Sequence, residues 1–205
     1  MLAGIASGQE INPDKRLEHA TVAIRAFFSS ESNIPKDLAG KAQCVVVAPH
    51  LAKGAFLIGD KYGRGFASCR RVNGGWSAPA AIAIEGGPQL SASSTDLIML
   101  VMNQTGMTRL SGDKFTLGGE VTIVAGPTGV SANVANAEMI SYARDKGSFA
   151  GITLEGATLR PDPGENKKLY GHETENSQIL AGRLSPPRGA KTFVAVLNKH
   201  ARKGK

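Results

Sequence analysis

The side chains that most often bind metals or act as nucleophiles are few in this chain and are spread along it. The two cysteines, Cys44 and Cys69, cannot by themselves supply the four ligands of a structural zinc site. We expect them to be buried thiols on neighbouring strands, with a disulfide as the alternative in an exported protein. The four histidines have no metal-ligand spacing; they are His19, His50, His172 and His200.

Serine and carboxylate chemistry has equally weak support. Ser77 lies in Gly-Trp-Ser-Ala-Pro, which is not the Gly-x-Ser-x-Gly elbow of a serine hydrolase. A glycosidase needs two carboxyl groups that face one cleft. The candidate acids here flank β-type segments and turns, where carboxylates are usually solvated. We therefore predict no catalytic residue, and a hydrolase assembled from distant residues is the remaining enzymatic alternative. The candidate acids are Asp113, Glu120, Glu155 and Asp162.

Glycine-rich segments are the other feature that could do chemistry, because backbone amides in such loops can hold phosphate. Residues 59–65 and 126–129 are the candidates. Neither ends in the Gly-Lys-Ser/Thr of a phosphate-binding loop, and neither forms a dinucleotide fingerprint before a helix. Turns and bends are the favoured interpretation, and no cofactor or metal is predicted.

Positive charge is concentrated near the end of the sequence. The formal net charge is +7, from 24 Lys and Arg against 17 Asp and Glu. All 17 acids precede Arg183, and residues 1–182 also contain 17 Lys and Arg, so the net charge falls entirely within residues 183–205. The basic residues there are Arg183, Arg188, Lys191, Lys199, Arg202, Lys203 and Lys205.

Such a basic segment is usually a solvated, mobile end. The functional alternative is contact with anionic lipid or another polyanion, worth on the order of 1 kcal/mol per basic residue near an anionic membrane. Aromatic residues make up only 5% of the chain, which argues against stacking platforms for single-stranded nucleic acid. No nucleic-acid partner is therefore expected. No apolar run approaches the roughly 20 residues of a membrane-spanning helix.

Helical patterns lie at both ends of the sequence. The first predicted helix, residues 13–29, begins with Asn12 as N-cap and Pro13 in the first turn. Short helices are also predicted over residues 36–42 and 174–181, and a last helix over residues 190–200. The apolar positions of the first helix recur at helical spacing; they are Leu17, Ala20, Ile24 and Phe27 or Phe28.

Short β-type runs occupy the middle of the chain, from Cys44 to Leu159, and Asn73-Gly74-Gly75 is a strong turn signal between two of them. Many short strands at close spacing favour a twisted, mostly antiparallel sheet that curls towards a barrel. We predict an α+β fold with helices at the N- and C-terminal ends. A single domain is predicted over residues 13–201, with residues 1–12 and 202–205 as flexible ends.

Basic residues also cluster near that turn. Arg64, Arg70 and Arg71 precede it, and Lys53 and Lys61 lie upstream. They form either a basic rim around this part of the sheet or ordinary solvated strand ends.

Several segments, each weak alone but specific in their order and spacing, resemble the SYLF domain family. Members of this family are lipid-binding modules found in bacteria and in eukaryotic endocytic proteins. The modules are also described as actin-binding. The resemblance covers roughly residues 15–200. The similar segments are Ile34-Pro-Lys-Asp-Leu38, Cys44-Val-Val-Val-Ala-Pro49, Gly54-Ala-Phe-Leu57, Tyr62-Gly-Arg-Gly65, Gly75-Trp-Ser-Ala-Pro-Ala80, residues 95–103, Lys114-Phe-Thr-Leu-Gly118, Ala125-Gly-Pro127 and residues 142–156.

The resemblance implies a noncatalytic module that associates peripherally with anionic, phosphoinositide-like membranes. Family members are thought to use an N-terminal amphipathic segment with basic residues, and here Lys15, Arg16 and Arg25 of the first predicted helix match it. The charge distribution adds further candidate lipid contacts in the basic segment. They are Arg183, Arg188, Lys191, Lys199, Arg202 and Lys203.

We expect a bacterial member of the family, and on that ground the actin-binding role of eukaryotic members is not carried over. Bacterial members often have an export signal, so a periplasmic or envelope location is expected, although this sequence shows no signal peptide. The alternative function is a structural or envelope-associated protein that acts through protein–protein contacts.

Overall fold

The computed structural model describes most of the chain. The described residues are 12–29, 34–52, 61–86, 89–90, 94–118, 122–124, 137–145, 148–149 and 152–202.

Six α-helices lie in the described part of the chain, and a 3-10 turn, Arg188–Ala190, leads into the last of them. Asn12 begins the first helix as predicted, since its Oδ1 accepts a hydrogen bond from Asp14 N at 2.7 Å. The helices are α1 (Pro13–Phe27), α2 (Lys36–Lys41), α3 (Gln104–Ser111), α4 (Pro163–Tyr170), α5 (Asn176–Leu180) and α6 (Lys191–His200).

Most of the described strands belong to one sheet of nine strands, and two short strands pair separately. The strands are β1 (Cys44–Ala52), β2 (Lys61–Cys69), β3 (Ala80–Glu85), β4 (Gln89–Leu90), β5 (Ser94–Val101), β6 (Phe115–Thr116), β7 (Thr122–Val124), β8 (Met139–Asp145), β9 (Ser148–Phe149), β10 (Ile152–Thr153) and β11 (Thr158–Pro161).

The order in the large sheet is β6-β11-β3-β2-β1-β5-β8-β7, with β9 paired to β8. These pairs are antiparallel except for β7 with β8, which are parallel. The sheet curls like a half-barrel, and the predicted α+β fold in a single domain is confirmed. The predicted limits at residues 13 and 201, and the flexible ends, stay predictions.

Both faces of the sheet are buried. From β1, Val45 and Val47 point to the face that α1 and α6 cover. Val46 and Ala48 point to the opposite face, which packs against α3, α5 and the chain around β11. Successive side chains of a strand alternate between faces, so a strand at the centre of such a sheet needs apolar residues at consecutive positions. This explains the unbroken Cys-Val-Val-Val-Ala run.

Cys44 and Cys69 lie directly opposite each other on β1 and β2, as predicted for neighbouring strands. Their sulfur atoms are bonded at 1.98 Å, and both residues are buried. The expectation of two free buried thiols is therefore wrong, and the alternative, a disulfide, is what the structure has, because strand pairing places the two residues directly opposite each other.

Two helices of the structure were not predicted. The segment from Asn103 to Gly106 is the beginning of α3, where Asn103 Oδ1 accepts a hydrogen bond from Gly106 N at 2.9 Å. In α4, Asp162 is the N-cap and Gly171 ends the helix with a left-handed φ of 79°. The predicted helix at residues 174–181 is shorter in the structure and begins after Glu175, without a side-chain cap.

Candidate binding surface

The first helix uses its apolar face to build the core. Leu17, Ala20, Ile24 and Phe27 are all at most 1% exposed and pack on the sheet face that also carries Val45 and Val47. The face of α1 that is presented to solvent is therefore polar apart from Val22, which is 64% exposed. Any contact with a partner through α1 uses its outward residues rather than its apolar stripe.

The three cations predicted on this helix occupy different environments. Lys15 and Arg25 are exposed on the outer face. Arg16 is buried, and its guanidinium forms an ion pair with Glu165 of α4. Arg16 differs from Lys15 because it immediately precedes Leu17 on the inward side of the helix. The structure thus separates Arg16 from the surface that Lys15 and Arg25 share.

Arg16 belongs to a buried cluster of opposite charges. The Arg64 guanidinium of β2 lies 3.0 Å from Asp162 Oδ2 and 3.7 Å from Glu165 Oε2. Both carboxylate side chains are almost fully buried, at 6% and 1% exposure. Two arginines balance two carboxylates, so the cluster joins α1, β2 and the beginning of α4 without net charge.

The last helix repeats the division between inward and outward faces. Phe193, Val196 and Leu197 pack into the core. Lys191 and Lys199 are exposed on the outer side. The other predicted basic contacts that the structure describes are also exposed; they are Arg183, Arg188 and Arg202. Lys203 lies outside the described residues.

Helices α1 and α6 lie side by side and run in the same direction. At their beginnings, a Cβ added to Gly189 would lie 2.5 Å from Asp14 Oδ1. At their ends, Arg25 of α1 faces Lys199 and His200 of α6 across a surface groove of about 490 Å³. The folded chain therefore brings together basic residues from the two regions that the sequence analysis proposed separately.

The groove is electrostatically positive. Partial burial, with the nearby charges of Lys199 and Arg25, lowers the pKa of His200 below its ordinary value of 6.5. The rest of the described groove lining is small or apolar, from Thr192, Ala195 and Val196. Such a groove is suited to an anionic group and offers no carboxylate to a cation.

Arg70 connects the turn between β2 and β3 to the ends of α2 and α6, and Trp76 also binds the end of α6. The Arg70 guanidinium donates hydrogen bonds to carbonyl oxygens that follow two helix ends, Ala42 O at 2.7 Å and Ala201 O at 3.0 Å. It lies 4.5 Å from the Trp76 ring centre, and Trp76 Nε1 donates to Ala201 O at 3.2 Å. Of the predicted basic rim, Arg64 and Arg70 are thus used inside the fold, whereas Arg71 is exposed.

A histidine pair lies on another side of α1. His50 has a left-handed φ of 54° at an irregularity in β1, and its N–H donates to Asp96 Oδ1 at 2.9 Å. Its ring meets the ring of His19 edge-on, with centroids 4.7 Å apart. Burial, together with the charges of His50 and Lys15, lowers the pKa of His19. Across the described ranges, no group of three or more His, Cys, Asp or Glu side chains is arranged to hold a metal ion.

The candidate catalytic acids are dispersed. Asp162 pairs with Arg64, and Asp113 lines a separate polar cavity of about 630 Å³ beside α4 and α5 with Lys167 and Glu173. Glu155 is exposed, and Glu120 lies outside the described residues.

Within the part of the chain that the structure describes, no helix has both the length and the apolar character needed to span a bilayer.

The curled sheet and the helices that cover it form a small α+β domain. The basic residues exposed on α1 and α6 give this domain a candidate docking face. The chain belongs to the Ysc84 family, described as "Las17-binding protein actin regulator", whose model matches residues 83–200, more than half of the chain. The SYLF family prediction is thereby confirmed. That family description names a regulator and a binding activity rather than a reaction.

Similar proteins come from fungi and vertebrates. The chain is 32% identical over 185 residues to LAS seventeen-binding protein 3 of Saccharomyces cerevisiae, covering 85% of this chain and 40% of that protein. It is 30% identical over 185 residues to protein YSC84 of the same yeast, covering 85% of this chain and 39% of that protein. It is also 32% identical over 180 residues to SH3 domain-containing YSC84-like protein 1 of Xenopus laevis, covering 83% of this chain and 53% of that protein.

The chain thus spans 39% to 53% of the length of these curated relatives. These relatives are eukaryotic, and the expected bacterial origin of this chain stays a prediction.

Proposed function

We propose that this domain is a noncatalytic binding module that acts through protein–protein contacts, with the outer face of α1 and α6 as its docking surface. The observation that carries the proposal is the groove where Arg25 of α1 faces Lys199 and His200 of α6. The family description adds the kind of partner, because it names an actin regulator and Las17 binding. We therefore propose actin filaments as a partner. The sequence-based expectation left them out only because it assumed a bacterial origin.

Charge complementarity explains how such a face would recognise a partner. Complementary charges steer encounter and set specificity, and exposed charges act within a Debye length of about 8 Å at physiological salt. Lys15 and Arg25 of α1 and Lys191 and Lys199 of α6 are exposed on adjacent helices. An acidic protein surface is the complementary partner.

Co-sedimentation with actin filaments tests this proposal. We expect the domain to pellet with filaments at low salt and less at high salt. The double variant Arg25→Glu/Lys199→Glu should bind roughly tenfold more weakly, which corresponds to about 1.4 kcal/mol. Its matched control is Lys114→Glu/Lys167→Glu, which changes the net charge equally but alters residues away from the groove. Equal losses for the two variants, or no sedimentation of the unmodified domain, would contradict the proposal.

A peripheral association with anionic, phosphoinositide-like membranes is the second candidate. The same groove favours it, because two cations and a titratable histidine surround a space large enough for a phosphate group. Attraction of basic residues to an anionic leaflet is worth on the order of 1 kcal/mol each.

Vesicle co-sedimentation distinguishes the second candidate from the first. Vesicles that contain phosphatidylinositol phosphates should pellet the domain at low salt, whereas neutral phosphatidylcholine vesicles should not. Arg25→Glu/Lys199→Glu should remove this preference, and Lys114→Glu/Lys167→Glu should keep it. If anionic and neutral vesicles bind equally at low salt, the membrane candidate is rejected.

A further inference from the structure

The turn between β2 and β3 carries an exposed apolar side chain at its tip. Gly74 N donates to Arg71 O at 3.0 Å, and Arg71 N donates to Gly75 O at 3.0 Å, so the backbone reverses tightly. The two glycines adopt left-handed φ values of 86° and 73°, which glycine adopts without steric cost. Val72 lies at the tip of this turn and is 104% exposed. Polar residues usually occupy such positions.

The turn is held firmly against the rest of the domain. Its base is fixed by Arg70 and Trp76, whose side chains both bind Ala201 O after α6. Its sides are fixed by close packing. A Cβ on Gly75 would lie 3.1 Å from Asn198 Oδ1 of α6, and one on Gly182 would lie 2.7 Å from Cγ of Arg71. Val72 is therefore presented by an ordered scaffold, so little conformational entropy is lost when a partner covers it.

Basic residues lie close to the turn that carries Val72. Arg71 adjoins Val72 in the chain and is exposed, Arg183 follows Gly182, whose position abuts the Arg71 side chain, and Arg202 donates to O of Asn198, which lies beside Gly75, at 3.3 Å. Residues 61–84 and 182–202, which supply the turn and its neighbours, contain no Asp or Glu. Guanidinium groups bind carboxylates in a bidentate geometry. An apolar tip among arginines is thus complementary to an apolar recess rimmed by carboxylates.

We propose that Val72, flanked by Arg71, Arg183 and Arg202, is the apolar anchor that inserts into an acidic protein surface. This inference rests on the proposed protein-binding function and extends its docking surface. Helix α6 lies between the groove and the turn, because its Lys199 faces Arg25 while its Asn198 contacts Gly75. The groove and the turn therefore form one continuous face, with charge on α1 and α6 and an apolar tip at one end.

The test compares two substitutions at one position, with actin filaments as the probe. Val72→Thr keeps the shape of the side chain but replaces a methyl with a hydroxyl, and we expect filament binding to weaken about tenfold. Val72→Ile keeps the apolar character and should bind at least as tightly as the unmodified domain. Because Val72 makes no buried contact, both variants should unfold at the same denaturant concentration. The loss in Val72→Thr should persist at high salt, unlike the effect of charge reversal in the groove.

Each outcome is decisive. If Val72→Thr binds as tightly as the unmodified domain while Arg25→Glu/Lys199→Glu binds weakly, the inference is overturned and the proposed function stands. If the unmodified domain does not bind filaments, both are overturned. If Val72→Thr weakens sedimentation with anionic vesicles but not with filaments, the tip contacts a membrane and the assignment to a protein partner is wrong.

Discussion

Arg16 and Glu165 are far apart in the sequence but form an ion pair in the interior. With Arg64 and Asp162 they form a cluster in which each arginine lies beside a carboxylate. Buried charges are tolerated only when they are paired and hydrogen-bonded. The cluster therefore fixes how α1 is placed relative to α4, and its stability depends on every member.

Substitution of Glu165 should therefore lower the stability of the fold. Glu165→Gln keeps the size of the side chain but leaves two guanidinium groups beside one remaining carboxylate. Breaking a buried ion pair by removing one partner costs about 3–5 kcal/mol. We expect the free energy of unfolding to fall by about this amount in urea denaturation monitored by circular dichroism.

The matched control is Glu173→Gln. Glu173 pairs with Lys167 at 3.1 Å, but its side chain is 85% exposed, and exposed pairs contribute roughly 0–1 kcal/mol. Equal unfolding midpoints for the two variants would show that the buried cluster does not hold α1 in place.

Sequence reasoning could not have found the burial of Arg16. Its neighbours in the chain, Lys15 and Glu18, are exposed, and the helical pattern places Arg16 only at the border of the apolar face. What decides its environment is a carboxylate on α4, which only the folded chain brings near. The grouping of Arg25 with Lys199 depends in the same way on how two distant helices pack.

Individual elements were predictable where local signals were strong. Helices α1, α2 and α6 were expected close to their observed limits. Both a cap and apolar periodicity mark α1, whereas α2 and α6 begin without a side-chain cap. Helix α4 buries Glu165 and Asn166 instead of an apolar stripe, so periodicity does not detect it. Only Asp162, Pro163 and Gly171 mark its ends. Helix α3 was missed because Asn103 is equally typical of a turn and of an N-cap.

The disulfide between β1 and β2 supports the centre of the sheet. It closes a loop with a sequence separation of 25 residues, for which the chain-entropy argument gives about 3 kcal/mol of stabilisation. We expect dithiothreitol to lower the free energy of unfolding by about this amount when the unfolding transition is measured in urea.

The Cys44→Ala/Cys69→Ala variant is the control for that experiment. It cannot form the bond, so its unfolding should be the same with and without reductant. An unmodified domain that is also insensitive to reductant would indicate that the two thiols are not bonded in solution.

The net charge of the docking face should change with pH, because His200 lies in its groove. Burial and neighbouring cations lower the pKa of His200 in the folded domain. A histidine with a lowered pKa favours the folded state when neutral, so its contribution is present above pH 6.5 and is lost as the pH falls through 6.5 towards the folded value. An anionic ligand in the groove stabilises protonated His200, so ligand binding should strengthen over the same pH range.

Anionic-vesicle binding at pH 8 and pH 5.5 tests this expectation. One added charge near an anionic surface is worth about 1 kcal/mol, so the affinity should rise at the lower pH by up to about fivefold. His200→Gln should remove most of this rise. His172→Gln, which alters an exposed histidine between α4 and α5, should keep it. The idea fails if both variants respond to pH as the unmodified domain does.

The packing of α1 against α6 also has a consequence for the order of folding. The first and last helices of the described structure cover the same face of the sheet, and the Ala201 carbonyl after α6 accepts hydrogen bonds from Arg70 and Trp76. Contacts between distant parts of a chain form slowly because loop closure must precede them. On the ribosome, α1 and β1 emerge long before α6 can cover them. The domain therefore completes its core only after residue 201 has left the exit tunnel, and until then the part of this apolar face that α6 covers stays accessible to chaperones.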